Sequence, residues 1–382
     1  MVDHHGTPVA LGPEALEVAA RRGEGENVEQ HDRADGAGDE DAASAAPLVP
    51  ELKAQQLELG TEVCTTLAEI EAQLRHWRAR ADAAAASVGA RVAALATSPV
   101  PVEPVATEGE RYARMHDAFG VPARDMLTCG AHVHVSIEDD EEGVAVLNRI
   151  RGWLPVLTAL SANSPFWQGT DTGYASFRSQ AWQRWPSAGP NELFADAADY
   201  HRLTDDVLAT GTVLDAGMLY FDARLSATWP TVEIRTADVL LRVEDAVTLA
   251  GLVRALVETA AREAQDGKPA PALRSEVLRV AAWRAGRSGL GGDLVHPGTG
   301  RPAPAADVLA ALVDHVRAAL ADAGDEARVT AGVEDLIARG TGADLQRAVL
   351  AETGDPRAVV RAAVEITTKR TAATSAGDSS SR

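Results

Sequence analysis

The chain reads as an α+β protein, an antiparallel or mixed sheet with helices on one side. Three observations predict this. Two segments, Thr128 to Ile137 and Thr231 to Thr236, alternate apolar and polar residues with period two. Elsewhere apolar residues recur every three or four positions, as in Leu67, Ile70, Leu74 and Trp77. From Val243 onward helical spacing dominates to the C-terminus. Apolar residues make up 46% of the 382, enough for a sizeable core, and their Ala and Leu content favours helix.

In chain order, Pro13-Glu14-Ala15 opens a short helix within Val9 to Arg22. The stretch Arg21 to Ala46 carries Glu24, Glu26, Glu29, Asp32, Asp35, Asp39, Glu40 and Asp41, with Val28 as its one large apolar residue. It reads as an acidic, solvated and disordered loop over residues 23–46. Leu52 to Leu59 reads as extended. A helix follows from near Thr61, whose hydroxyl can cap the first turn. Val63, Leu67, Ile70, Leu74 and Trp77 mark its buried face. Arg91 to Ala96 reads as a short strand.

In Thr128 to Ile137, Ala131, Val133, Val135 and Ile137 point to one side, and His132, His134 and Ser136 to the other. Val144 to Ala162 is helical, with a kink or restart at Pro155. Asn163 to Pro190, with Trp167, Trp182 and Trp185, reads as a long functional loop. In Thr231 to Thr236, Val232 and Ile234 face the core, leaving Thr231, Glu233 and Arg235 opposite. Residues 1–370 form one domain, and the small polar residues 371–382 a disordered tail.

Composition excludes several functions. A net charge of −20 lacks the basic footprint of a nucleic-acid binder. No apolar run reaches the roughly 18 residues that span a bilayer, and the first residues do not form a signal peptide. Cys64 and Cys129 make no disulfide framework and suit a reducing compartment. The expectation is a cytoplasmic protein, compatible with a homo-oligomer.

Three extended segments present ionisable groups opposite apolar faces. They carry Glu58 and Glu62, His132 and His134, and Glu233 and Arg235. A His-x-His strand is a weak zinc signal and needs a third ligand nearby. Mixed Glu and His donors suit Mg²⁺ or Mn²⁺ bridging nucleotide phosphates. Arg235 shares a face with Glu233, where its fork suits a phosphate or carboxylate. Arg111, Arg178 and Arg287 are further candidates, although each alone reads more readily as half of a surface ion pair. Cys129 reads as a small core residue rather than a nucleophile.

These segments, in this order, resemble the glutamate–cysteine ligase type 2 family and its bacterial carboxylate–amine ligases. The resemblance rests on Leu57-Glu58-Leu59-Gly60-Thr61-Glu62-Val63-Cys64, Glu110-Arg111-Tyr112 and Gly130-Ala131-His132-Val133-His134-Val135. It continues through Ser161-Ala162-Asn163-Ser164-Pro165-Phe166-Trp167-Gln168-Gly169-Thr170-Asp171-Thr172 and Tyr174-Ala175-Ser176-Phe177-Arg178. Thr231-Val232-Glu233-Ile234-Arg235 and Arg287-Ser288-Gly289-Leu290 complete it.

The resemblance implies a glutamine-synthetase-like antiparallel sheet forming a funnel-shaped site backed by helices. It implies that ATP phosphorylates the γ-carboxylate of glutamate, and that the amine of cysteine or another small amine attacks the acyl phosphate. Glu58, His132 and Glu233 would then be metal ligands for Mg²⁺ or Mn²⁺. Arg235 and Arg287 would stabilise phosphate, and Arg111 and Arg178 would bind substrate, with His134 and Glu62 at flanking positions. Members of that family usually begin with a strand carrying Gly-x-Glu-x-Glu, and Val2-Asp3-His4-His5-Gly6-Thr7-Pro8 resembles the text just after it. That departure motivates an alternative, a relative that binds nucleotide or another ligand without turnover. If Glu233 holds a metal, Glu233→Gln should abolish ADP release and barely move the melting temperature; if it only pairs with Arg235 on a solvated face, the loss should be under about 1 kcal/mol and confined to stability.

Overall fold

The computed structural model describes residues 1–35 and 48–369. The expected tail at 371–382 and residues 36–46 of the acidic stretch lie outside the described residues. Helix α1 (Gly12–Arg21) starts with a proline in its first turn, where the missing N–H costs nothing. The acidic stretch is not loop throughout, because Val28–Asp35 forms helix α2. Glu24 is buried and pairs with Arg80, so part of this charge is structural rather than solvated.

Two-residue strands β1 (Leu48–Val49) and β2 (Glu58–Leu59) pair antiparallel. Only these last two residues of the expected extended segment 52–59 become a strand. Helix α3 (Leu67–Ser87) begins six residues later than Thr61 suggested. Its cap is Thr66, which accepts from the Glu69 N–H while the Glu69 carboxylate accepts from the Thr66 N–H. Val63 therefore precedes the helix and is 98% exposed, whereas Leu67 is buried. The strand expected over residues 91–96 reduces to one bridge between Arg91 and Val2.

Helices α4 (Glu110–Phe119) and α5 (Val121–Asp125) lead into strand β3 (Gly130–Ser136). The helical stretch expected at 144–162 is two helices, α6 (Asp140–Ile150) and α7 (Leu154–Leu160), with Pro155 in the first turn of the second. Within residues 163–190 lie a hairpin, β4 (Phe166–Trp167) and β5 (Thr170–Asp171), and helix α8 (Phe177–Trp182). Helix α9 (Ala197–Ala209) and strands β6 (Ala223–Leu225) and β7 (Thr231–Asp238) follow. Strand β7 lies between β3 and β6, antiparallel to both.

The rest is α10 (Val243–Gln265), α11 (Ser275–Ser288), the hairpin β8 (Asp293–His296) and β9 (Arg301–Pro304), and helices α12 (Ala305–Asp322), α13 (Glu326–Arg339), α14 (Gly342–Thr353) and α15 (Pro356–Thr367). Val232 and Ile234 of β7 pack with Leu157 and Leu160 of α7 and Leu252 and Leu256 of α10 in the main core. Each such fully buried aliphatic side chain contributes about 1.5–3 kcal/mol. With its apolar face sealed by helices, the sheet turns its opposite face toward α8. The α+β expectation holds, and every paired strand among the described residues is antiparallel.

Candidate active site

Glu233 is the centre of the polar sheet face. Register places it opposite His134 on β3 and Arg224 on β6. Its side chain is 1% exposed, and water cannot solvate its charge. Arg224 Nε donates to Oε2 at 2.7 Å, and Arg235 Nη1 donates to Oε1. His132 Nδ1 lies 3.1 Å from Oε1 and His134 Nε2 3.8 Å from it. Burial alone would raise the Glu233 carboxyl; Arg235, His132 and Arg224 outweigh it and hold it well below the usual carboxylate range. Burial and then the Arg235 charge push His132 down to about 4, although a third of its side chain still reaches solvent. At neutral pH the centre is a carboxylate between two guanidiniums with a neutral imidazole beside it. This corrects the stability expectation for Glu233→Gln, because removing one partner of a buried ion pair costs about 3–5 kcal/mol.

Arg224 is not legible in the sequence. Its strand has only three residues, too few for alternation to register. Its Nη1 donates to the carbonyls of Ala216, Gly217 and Leu219 at 3.1, 3.1 and 3.3 Å, which aims the guanidinium at Glu233.

Arg178 approaches from α8 and is buried. Its Nη2 donates to the Arg235 carbonyl at 3.3 Å, and Nη1 lies 3.9 Å from Asp238 Oδ1. It sits over the Trp182 ring at 5.3 Å, as Arg235 does over Tyr220 at 5.9 Å. A methyl at Gly130 would meet Arg178 Nη2 at 2.2 Å, so this strand start must be glycine for Arg178 to lie there. Asp238 is fully buried and accepts from the Asn163 N–H at 2.8 Å, the Ser164 hydroxyl at 2.7 Å and the Ser176 hydroxyl at 2.9 Å. It thereby bolts the Trp-rich segment onto β7.

Asp238 reaches the polar face through a bulge. Val133 pairs with Ile234 and Ala131 with Ala237, so β3 advances two residues where β7 advances three. The parity flips, Ala237 joins the core, and Asp238 turns toward the site.

The remaining candidates are placed differently. Arg111 is buried, but Asp215 already fills its fork, with Nε to Oδ2 at 3.0 Å and Nη2 to Oδ1 at 3.1 Å. It can hold a substrate carboxylate only in exchange for Asp215. Arg287 is exposed on α11, donates to the Gly173 carbonyl and lies over the Tyr174 ring at 5.5 Å. Glu58 and Glu62 are exposed, Glu58 in the β1–β2 pair rather than the β3–β7–β6 sheet. Burial pushes the Cys129 thiol up, and its sulfur accepts from Gln56 Nε2 at 3.0 Å, as befits a packed thiol rather than a nucleophile.

For a metal, Glu233 Oε1 and His132 Nδ1 converge. Among the described residues no three His, Cys, Asp or Glu side chains gather closely enough to hold an ion, so the expected trio with Glu58 does not assemble. Of the pair, the Glu233 carboxylate is the donor of the type Mg²⁺ takes, one or two carboxylates plus substrate phosphates and waters. No helix among the described residues is long and apolar enough to cross a membrane.

Comparison with known proteins puts this buried carboxylate and its guanidiniums, on an antiparallel sheet backed by helices, among the carboxylate–amine ligases. The sequence model of glutamate-cysteine ligase family 2 (GCS2) matches residues 13–365, and the chain belongs to that family. A Streptomyces coelicolor protein named "Putative glutamate--cysteine ligase 2" is 53% identical over 317 residues, covering 83% of this chain and 87% of that protein. A Paenarthrobacter aurescens protein, "Putative glutamate--cysteine ligase 2-1", is 52% identical over 309 residues, covering 81% of this chain and 80% of its own. Among solved structures, a glutamate–cysteine ligase from Francisella tularensis in complex with AMP superposes with a TM-score of 0.58 at 14% identity. That match covers 88% of this chain and 84% of the other, and it shows a shared fold.

Proposed function

We propose that this chain uses ATP to phosphorylate the γ-carboxylate of glutamate and then joins the acyl group to the amine of cysteine or another small amine. The products are a γ-glutamyl amide, ADP and phosphate. One observation carries the reading: two buried guanidiniums, Arg224 and Arg235, hold Glu233, and a third, Arg178, lies beside them against the Arg235 carbonyl and Asp238. Bringing a carboxylate to a triphosphate stacks negative charge. Fixed cations in a site shielded from water stabilise that charge without reorganising.

In this reading Arg235 faces the transferring phosphoryl group, with Arg287 at the rim. Arg178 holds a substrate carboxylate, and Arg111 does so on leaving Asp215. Glu233 and His132 would hold Mg²⁺ or Mn²⁺, and the ion would supply Lewis-acid neutralisation of the phosphates. Arg224 keeps Glu233 ionised and aimed. The substrates and the two free thiols fit a cytoplasmic setting.

The test is ADP release with glutamate, ATP and Mg²⁺, scanned over amines, on this chain and on one carrying a Gly-x-Glu-x-Glu strand ahead of Val2. Stimulation by an amine supports the reading. No stimulation in either protein removes it, and calorimetric ATP binding without turnover would favour the non-catalytic alternative.

A further inference from the structure

The Trp-rich segment that supplies Arg178 also builds, with α11, a row of four aromatic rings that the chemistry above does not use. Trp283 of α11 meets Tyr174 edge to face at 6.2 Å, and its Nε1 donates to the Tyr174 hydroxyl at 3.2 Å. Tyr174 meets Phe177 at 5.8 Å, and Phe177 meets Trp167 at 5.3 Å. None of the four is fully buried, and Trp283 is 49% exposed. Two arginines flank the row, Arg287 over Tyr174 at 5.5 Å and Arg184 over Trp167 at 5.9 Å.

The row is held rigidly. Trp167 ends the first strand of a hairpin whose two turn residues, Gln168 and Gly169, have φ of 51° and 79°. A tight turn of this hand requires positive φ at both positions. The Gln168 side chain keeps its own unusual conformation by bonding both ways to the Val102 backbone at 2.8 Å. Tyr174 is fixed from the other side, because the Gly286 carbonyl of α11 accepts from the Ala175 and Ser176 N–H groups at 2.9 Å. The same Ser176 bonds to Asp238 of β7, so the row is tied to the strand that carries Glu233.

Partly open rings with interleaved guanidiniums suit a flat, electron-rich ligand, which gains stacking and cation–π contact together. An acidic chain does not offer this surface to nucleic acid. We propose that Trp283, braced edge to face by Tyr174, is the platform on which the purine base of the nucleoside triphosphate stacks, with Arg287 joining base platform to phosphates. The inference rests on the ligase reading, because it names where that reaction's nucleotide is held.

The test measures equilibrium binding of ATP and of inorganic tripolyphosphate, each with Mg²⁺, to the full chain and to Trp283→Ala and Trp283→Phe. Losing one stacked ring is expected to weaken ATP binding roughly 5- to 100-fold. Tripolyphosphate binding should be unchanged, and phenylalanine should restore most of the affinity for ATP. Trp283 is half exposed, so the melting temperature should hold. Unchanged ATP affinity in Trp283→Ala, or an equal loss for tripolyphosphate, would overturn the proposal. So would a change confined to self-association, which would make the row a contact between copies. The ligase reading fails separately, when no amine stimulates ADP release.

Discussion

Glu233 and Glu58 come from similar text, a glutamate between apolar neighbours in an extended segment. Glu233 sits on the middle strand of a sheet whose other face is sealed by α7 and α10, and it is held by the buried guanidiniums of Arg224 and Arg235. Glu58 sits in a two-residue strand and is exposed. Alternation tells which way a side chain points. What covers it there decides whether its charge meets water or fixed cations, and only a desolvated charge carries several kcal/mol.

The comparison breaks first at Glu233→Gln. Activity should fall at least about 100-fold, since both the ligand charge and the aim of Arg235 are lost. Stability should fall by about 3–5 kcal/mol as Arg224 and Arg235 lose their partner. Glu58→Gln, measured beside it by denaturant unfolding, should shift stability by less than about 0.5 kcal/mol. Equal effects at the two positions would remove the distinction.

Asp238→Asn sharpens the comparison one layer out. It keeps the size but turns an N–H₂ either toward the Asn163 N–H and the Ser164 hydroxyl or toward the Ser176 hydroxyl, and it takes the counter-charge from Arg178. A stability loss of about 1–3 kcal/mol is expected from thermal unfolding, with a fall in ADP release.

Legibility in the sequence followed strand length and parity. His132, His134, Glu233 and Arg235 were readable because β3 and β7 run seven and eight residues. Arg224 was hidden in three residues, and Asp238 by the bulge that flips parity after Arg235. Helix α3 was misplaced by Thr61, because Thr66 with Glu69 offers the fuller cap. The α+β class was clear from periodicity, and the Trp-rich segment stood out by composition. That it folds into a hairpin and a helix clamped by one carboxylate needs contacts between residues 62 to 75 positions apart.

Gly130→Ala is a smaller perturbation. The new methyl must displace the Arg178 guanidinium, at about 1–3 kcal/mol. Activity should drop with it. A crystal structure with Arg178 unmoved and normal turnover would show that this close approach does not position Arg178.

Asp222 gives the smallest effect. Burial pushes its carboxyl up to about 6, against the pull of Arg279 and Arg178. A folded value above the unfolded 3.8 means that its stabilising contribution is full below 3.8 and is lost as pH rises through 6. Asp222→Asn should therefore melt a few degrees above the parent at pH 7.5, with the difference shrinking toward pH 4. A gain that persists unchanged at pH 4 would assign it to something other than this titration.

The most direct measurement of the central claim is amine-stimulated ADP release by the parent and by Glu233→Gln, at a temperature where circular dichroism finds both folded. The account predicts release in the parent that depends on glutamate and an amine, and none above background in the variant. A folded Glu233→Gln protein with turnover near the parent's would contradict it.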